Sequence, residues 1–140
     1  MFVLAVLMTT SVSAQATNPD ETAIRGVIAQ FSAMWTTPEG LAIFRNIASD
    51  HYTNVMGGKV YNREEFSQFV TGILQNNQIV KHTHTVQRIQ ITNDIAYEYG
   101  IIEFVTKNGQ TTKSENMNIF IREQSGWRLL FSAPPAPESN

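Results

Sequence analysis

The chain has no cysteine. That absence removes disulfide bonds, thiol nucleophiles and cysteine-based zinc or iron–sulfur centres together. It also has no surplus of positive charge: 10 Lys and Arg stand against 12 Asp and Glu in 140 residues, for a net charge of −2. Binding a phosphate backbone depends on neutralising many phosphates with cations, so nucleic acid is not an expected partner. Long hydrophobic runs are missing as well. Phe2 to Met8 is uninterrupted and apolar, but a membrane span needs about 20 such residues. What is present, 42% hydrophobic and 16% charged residues, is the composition of one globular domain with a self-sufficient core.

The run Phe2–Met8 leads into Thr9-Thr10-Ser11-Val12-Ser13-Ala14, where Val12-Ser13-Ala14 sets small or branched residues at the positions a signal peptidase reads. Residues 1–16 are therefore expected to be a secretory signal cleaved after Ala14 or Ala16. The domain would then occupy 17–140, be secreted or periplasmic, and keep no membrane segment. No Lys or Arg precedes the run, which leaves a start further upstream open.

The rest divides into a helical half and a strand half. Asn18-Pro19-Asp20-Glu21 reads as a helix start in which Asn18 caps, Pro19 takes the first turn and Glu21 completes a capping box. Ile24, Val27, Ile28, Phe31, Met34 and Trp35 continue it at helical spacing. Thr37-Pro38-Glu39 restarts the pattern for a second short helix ending near Ser49, carrying Leu41, Phe44 and Ile47. An extended piece, Tyr52 to Met56, meets the turn Gly57-Gly58, and Asn62-Arg63-Glu64-Glu65 opens a third helix with Phe66, Phe69, Val70, Ile73 and Leu74 on one stripe. Beyond Gln78 the period becomes two. Segments 81–91, 95–106, 111–122 and 127–132 read as strands joined by Asn93-Asp94, Asn108-Gly109 and Ser125-Gly126, an antiparallel meander. Its second strand is apolar on both faces, with Tyr97, Tyr99 and Ile101 on one side and Ala96, Ile102 and Phe104 on the other. Helices can cover only one face, so a homodimer through the other is expected. Pro134-Pro135-Ala136-Pro137 leaves the sheet as an extended tail.

Taken in order, Asp50 after the second helix, the Gly57-Gly58 turn, Asn93-Asp94-Ile95-Ala96 opening a central strand and Gly126-Trp127-Arg128 opening the last resemble the nuclear transport factor two-like superfamily and, within it, the SnoaL-like branch. The resemblance covers residues 19 to 133. It implies an α+β cone fold: three N-terminal helices packed on a curved antiparallel sheet with a long four-strand meander, and a pocket at the wide end. That scaffold serves isomerases, cyclases, epoxide hydrolases, dehydratases and non-catalytic binders, so fold does not decide function. Where similar steroid isomerases carry a tyrosine, a catalytic aspartate and a protonated acid, this chain has Phe31, Met56 or Gly57, and Asn118. Without a base and an acid donor, isomerase activity is not expected to carry over. Arg88 and Glu98 supply only part of the epoxide hydrolase pattern.

Strand alternation puts His82, His84, Val86 and Arg88 on one side of the first meander strand, with Thr83, Thr85, Ile89 and Ile91 opposite. On the third strand Asn116 and Asn118 share a face. Glu98 stands between Ala96 and Gly100, whose small size leaves room for a cavity. In the competing arrangement Glu98 faces solvent and pairs with Arg88 or Arg122, as charges on sheets commonly do. His82 and His84, at i and i+2, point the same way. With His51 or Asp50 they could ligate a metal, though no third ligand stands at a recognisable spacing. They could instead be hydrogen-bonded at a strand end, or one could transfer protons oriented by Asp50. Trp35 and Tyr52 either line the pocket mouth or pack in the core.

The expected function is therefore binding of a small apolar organic molecule, with Phe31, Trp35, Tyr52, His82, Asn116 and Asn118 as ligand contacts and no cofactor or metal implied. An isomerase, cyclase or dehydratase using Glu98, His84 and Asp50 is the catalytic alternative, and a protein-interaction domain the third.

Overall fold

The computed structural model describes residues 18–134. The expected leader at 1–16 and the tail beyond Pro134 lie outside the described residues. The first helix, α1 (Pro19–Ala33), buries Ile24, Val27, Ile28 and Phe31, the helical-period stripe of the sequence. Its cap is simpler than expected. Asn18 accepts from the Asp20 amide at 2.9 Å, but Glu21 reaches forward to Arg25 at 2.8 Å, so no capping box closes. The α-helix also stops short of Trp35, giving way to a single 3-10 turn, Met34–Thr36. Pro38 forces Thr37 into an extended conformation, and the Thr37 hydroxyl bonds the Ala33 carbonyl at 3.0 Å.

Helix α2 (Gly40–Ile47) passes directly into strand β1 (Ala48–Met56), so the strand claims the residues expected at the helix end. Gly57 and Gly58, with φ of 58° and 77°, turn β1 back onto β2 (Lys59–Asn62), a short edge strand the hydropathy pattern does not reveal. Asn62 and Glu65 then form a full capping box on α3 (Arg63–Gln75). The meander follows: β3 (Ile79–Thr92), β4 (Ile95–Thr106), β5 (Thr111–Glu123) and β6 (Gly126–Ala133). The six strands form one sheet in the order β2-β1-β6-β5-β4-β3, antiparallel except for the β1–β6 pair. Among the described residues no helix is long and apolar enough to cross a membrane.

Two bulges decide which side chains face inward. Val86 pairs with Gly100 but Arg88 with Tyr99, so Gln87 is an extra residue in β3. Beyond it the alternation inverts: Ile89 and Ile91 pack on the core, and Arg88 is exposed on the outer face, opposite to simple alternation. A second bulge at Leu130 of β6 brings Ser132 beside Asn118. The dry core lies where α1 meets the sheet, joining its four buried residues to Ala96, Phe120, Trp127 and Leu129. Phe44, Tyr52 and Phe66 meet with ring centroids 5.1 to 5.4 Å apart, which places Tyr52 in the core against α3. Asp20 ties α1 to the last strands, accepting from Arg122 at 2.7 and 2.8 Å and from Trp127 Nε1 at 3.1 Å. Those hydrogen bonds pull its carboxyl down to about 2.

Candidate functional site

Register aligns a polar row across the inner face of four strands. Asn54 of β1 is paired with Ser132 of β6, Ser132 with Asn118 of β5, and Asn118 with Glu98 of β4. All four are buried, and Glu98 and Asn118 have no exposed surface. Hydrogen bonds join most of the row. Asn118 Nδ2 donates to Glu98 Oε2 at 2.8 Å, the Ser132 hydroxyl donates to Asn118 Oδ1 at 2.6 Å, and Asn54 Nδ2 donates to the Tyr52 hydroxyl at 3.0 Å. Burial pushes the Tyr52 phenol far up, against the opposing influence of Ser132 and Asn54, so it stays protonated. At the far end His84 Nε2 lies 2.7 Å from Glu98 Oε1, with both side chains essentially inaccessible.

Gly100 makes that last contact possible. A Cβ there would collide with Glu98 Oε1 and His84 Nε2 and stand 2.8 Å from the Thr85 carbonyl. The space that Ala96 and Gly100 leave above Glu98 is thus filled by an imidazole. The solvent-face reading of Glu98 is overturned: the β3 bulge carries Arg88 to the outer face, and Arg122 is held by Asp20 and Asp94.

Above the row opens a cavity of about 420 Å³. Its walls are mainly aromatic and aliphatic, with Phe31 and Trp35 from the first helical segment, Phe66, Phe69 and Ile73 from α3, and Ile102 and Phe104 from β4. Polar groups enter from Asn54, Ser132, Asn116 and His82. Two of these bring buried atoms without a partner, Asn54 Oδ1 and Asn116 Nδ2. His82 stacks between Trp35 and Phe104, at centroid separations of 6.0 and 6.5 Å, and its Nδ1 lies 2.8 Å from the Ser32 hydroxyl. Burial, with the nearby His84, lowers its pKa to about 4, which keeps the ring neutral at physiological pH.

The residues singled out from the sequence therefore separate. Phe31, Trp35, His82 and Asn116 line the cavity, as do Met56 and Gly57. Tyr52 and Asn118 sit in the row behind it. Glu98 and His84 touch each other but do not line the cavity, and Asp50 is exposed on β1, away from both histidines' partners. His51 is exposed too, and among the described residues no group of three or more His, Asp or Glu is placed to hold a metal ion. Sequence reasoning missed Asn54 and Ser132. Alternation from Tyr52 along β1 points to Asn54 only once it is known which face of β1 turns inward, and Ser132 reaches the inner face only through the β6 bulge.

No family model matches the chain, and no curated protein matches its sequence. Solved structures do resemble it. A conserved protein from Planctomyces limnophilus superposes with a TM-score of 0.68 at 22% identity, covering 81% of this chain and 93% of its own. An NTF2-like protein of unknown function from Shewanella oneidensis gives 0.70 at 12% identity, over 81% and 96%. A protein from Shewanella frigidimarina, provisionally described as a ketosteroid isomerase, gives 0.65 at 21% identity, over 82% and 96%. With three helices on a six-stranded, mostly antiparallel sheet, the chain has the NTF2-like cone fold.

Proposed function

We propose that this chain is an exported cone-fold domain that binds a small, largely apolar organic molecule. The observation that carries the reading is the cavity itself: about 420 Å³ of space walled mainly by aromatic and aliphatic side chains, with Asn54, His82, Asn116 and Ser132 among its few polar lining residues. That volume suits a one- to three-ring compound, and sparse convergent polar groups in a dry concavity are the usual composition of a small-molecule site. Export is supported by the apolar run Phe2–Met8 and the Val12-Ser13-Ala14 motif, and intact mass of the exported protein tests it. Tyr97, Tyr99, Met117 and Ile119, half-buried on the outer sheet face, support pairing with a second copy, which light scattering at micromolar concentration tests.

Binding is tested by tryptophan fluorescence. Trp35 lines the cavity, whereas Trp127 is buried under Arg122 at a centroid distance of 4.6 Å. Neutral one- and two-ring aromatics should change the emission saturably in the parent and not in Trp35→Phe; an unsaturable or absent change, with no rise in melting temperature, overturns the reading. A catalytic role of the isomerase, cyclase or dehydratase type has one observation in its favour, the His84–Glu98 contact at 2.7 Å. Binding is better supported, because that pair lies behind the wall and the histidine at the cavity, His82, is a weak base. The SnoaL-like branch suggested by the sequence accommodates either role.

A further inference from the structure

His82 is held at both faces of its ring and at one nitrogen. The ring stacks between Trp35 and Phe104, and Nδ1 lies 2.8 Å from the Ser32 hydroxyl of α1. Nε2, at the far edge of the ring, has no partner among the described residues and, unlike Nδ1 of His84, is not sealed from solvent. Because His82 lines the cavity, Nε2 is the polar atom it brings there. A neutral imidazole carries one hydrogen on two nitrogens, so Nε2 is either a donor or a bare acceptor, and the contact made at Nδ1 decides which.

Ser32 leaves that choice open. Its hydroxyl is within reach of two acceptors on the same residue, Nδ1 at 2.8 Å and the His82 carbonyl oxygen at 3.4 Å. With the ring hydrogen on Nε2, the hydroxyl donates to Nδ1. With the ring hydrogen on Nδ1, that nitrogen donates to the hydroxyl oxygen, and the hydroxyl hydrogen turns to the carbonyl. Each hydrogen at this contact finds an acceptor in both forms, so neither carries the cost of an unmade bond there.

We infer that His82 Nε2 is the polar anchor of the cavity and that it serves neutral ligands of both senses, hydroxyls and ketones alike, by changing tautomer against Ser32. The inference rests on the binding reading above and names the polar chemistry of its ligand. A hydroxyl donates to the bare Nε2, and a ketone oxygen accepts from the protonated one. In passing between the two, one ring nitrogen gives its proton to water and the other takes one up before the ligand seats, and the net charge does not change. An ionised carboxylate finds no counter-charge. Among the described residues that line the cavity none is Lys or Arg, and burial with the nearby His84 lowers the His82 pKa to about 4.

Two pairs of ligands matched in shape test this with the full chain, their affinities read from tryptophan emission. One pair is para-tert-butylphenol and para-tert-butyltoluene; the other is para-tert-butylacetophenone and its isopropyl analogue, para-tert-butylcumene. In His82→Phe, which keeps an aromatic ring in the stack, the affinity ratio of the polar over the apolar member should fall roughly tenfold in both pairs, the value of one buried hydrogen bond. Nitrogen NMR of the parent labelled at its histidine rings keeps the question answerable if the variant melts poorly. The His82 ring should carry its hydrogen on Nδ1 in the phenol complex and on Nε2 in the ketone complex. One tautomer in both complexes, or a ratio that falls for only one pair, overturns the two-way anchor. Ratios unchanged in His82→Phe place the polar contact elsewhere and overturn the inference while leaving cavity binding intact. No binding by any of the four removes the binding reading with it.

Discussion

One face of one sheet behaves in two ways. Along β5, Phe120 is sealed against α1, Asn118 is sealed in hydrogen bonds, and Asn116 opens on the cavity, each two residues from the last. Strand β4 repeats the sequence with Ala96, then Glu98, then Ile102 and Phe104 at the cavity; β6 does so with Leu129 and Ser132, and Pro134 just beyond its end lines the cavity. Below the row, side-chain volume is matched to α1 and space is filled. Above it, α3 and the 3-10 turn stand off from the strands and aromatic side chains line space instead of filling it. The polar row is the boundary, and a hydrogen-bonded boundary has a physical advantage over an apolar one. It fixes the register of four strands with directional contacts and resists collapse of the cavity into the core.

Truncation on either side should break the symmetry most. Phe120→Ala removes a fully buried ring from the filled half and should cost about 3–5 kcal/mol. Phe104→Ala, half-buried on the cavity wall, should cost only about 1–2 kcal/mol, since its ring already borders empty space. Urea unfolding of the two variants gives the comparison, and equal losses would mean that the two halves are packed alike.

The boundary itself comes next. Glu98→Ala strands His84 Nε2, Asn118 Nδ2 and the volume of a carboxylate together, an expected loss of about 3–4 kcal/mol. Glu98→Gln keeps an oxygen for Asn118 and can face a retautomerised His84, so about 1–2 kcal/mol is expected. The gap between the two separates the hydrogen-bond role from the charge, and is read from denaturant midpoints. Gly100→Ala tests the same contact from above. Its methyl would collide with both partners, and a loss of about 2 kcal/mol is expected. In the double variant with Glu98→Ala the clash has less to displace, so the two losses should add to less than their sum.

Much of this was legible and some could not be. Alternation and turn residues placed all four meander strands to within about two residues, with Asn93 taking the positive φ of 52° that its turn requires. The buried place of Glu98 was signalled by Ala96 and Gly100, yet its partner was not. Strict alternation along β3 assigns Arg88 inward, and a bulge at Gln87 reverses that without any local mark in the sequence. Strand β2 is four residues of mixed polarity that become a strand only by pairing with β1. Asp50, expected at the end of the second helix and weighed as a partner for the histidines, falls inside β1, which starts at Ala48 and leaves it exposed. Local chemistry was readable, and inter-strand register was not.

The smallest expected effect sharpens the comparison on the cavity side. His82 has its pKa lowered from the ordinary 6.5 to about 4 by burial between Trp35 and Phe104 and by the charge of His84. Above the ordinary value neither folded nor unfolded chain carries a proton there, so His82 contributes no pH dependence. As pH falls below it, the unfolded chain takes up a proton that the folded chain refuses, and stability declines. Below the folded pKa both forms are protonated and the loss levels off. Between neutral pH and about pH 5, His82 should therefore account for about 1–2 kcal/mol of lost stability. His82→Phe, which keeps the stack and removes the titration, should flatten the urea-denaturation midpoint over that interval relative to the parent. An undiminished acid slope in the variant would move the titration to another group and leave the cavity wall indifferent to pH, and a bound neutral aromatic, which further dries the site, should steepen the parent's slope and not the variant's.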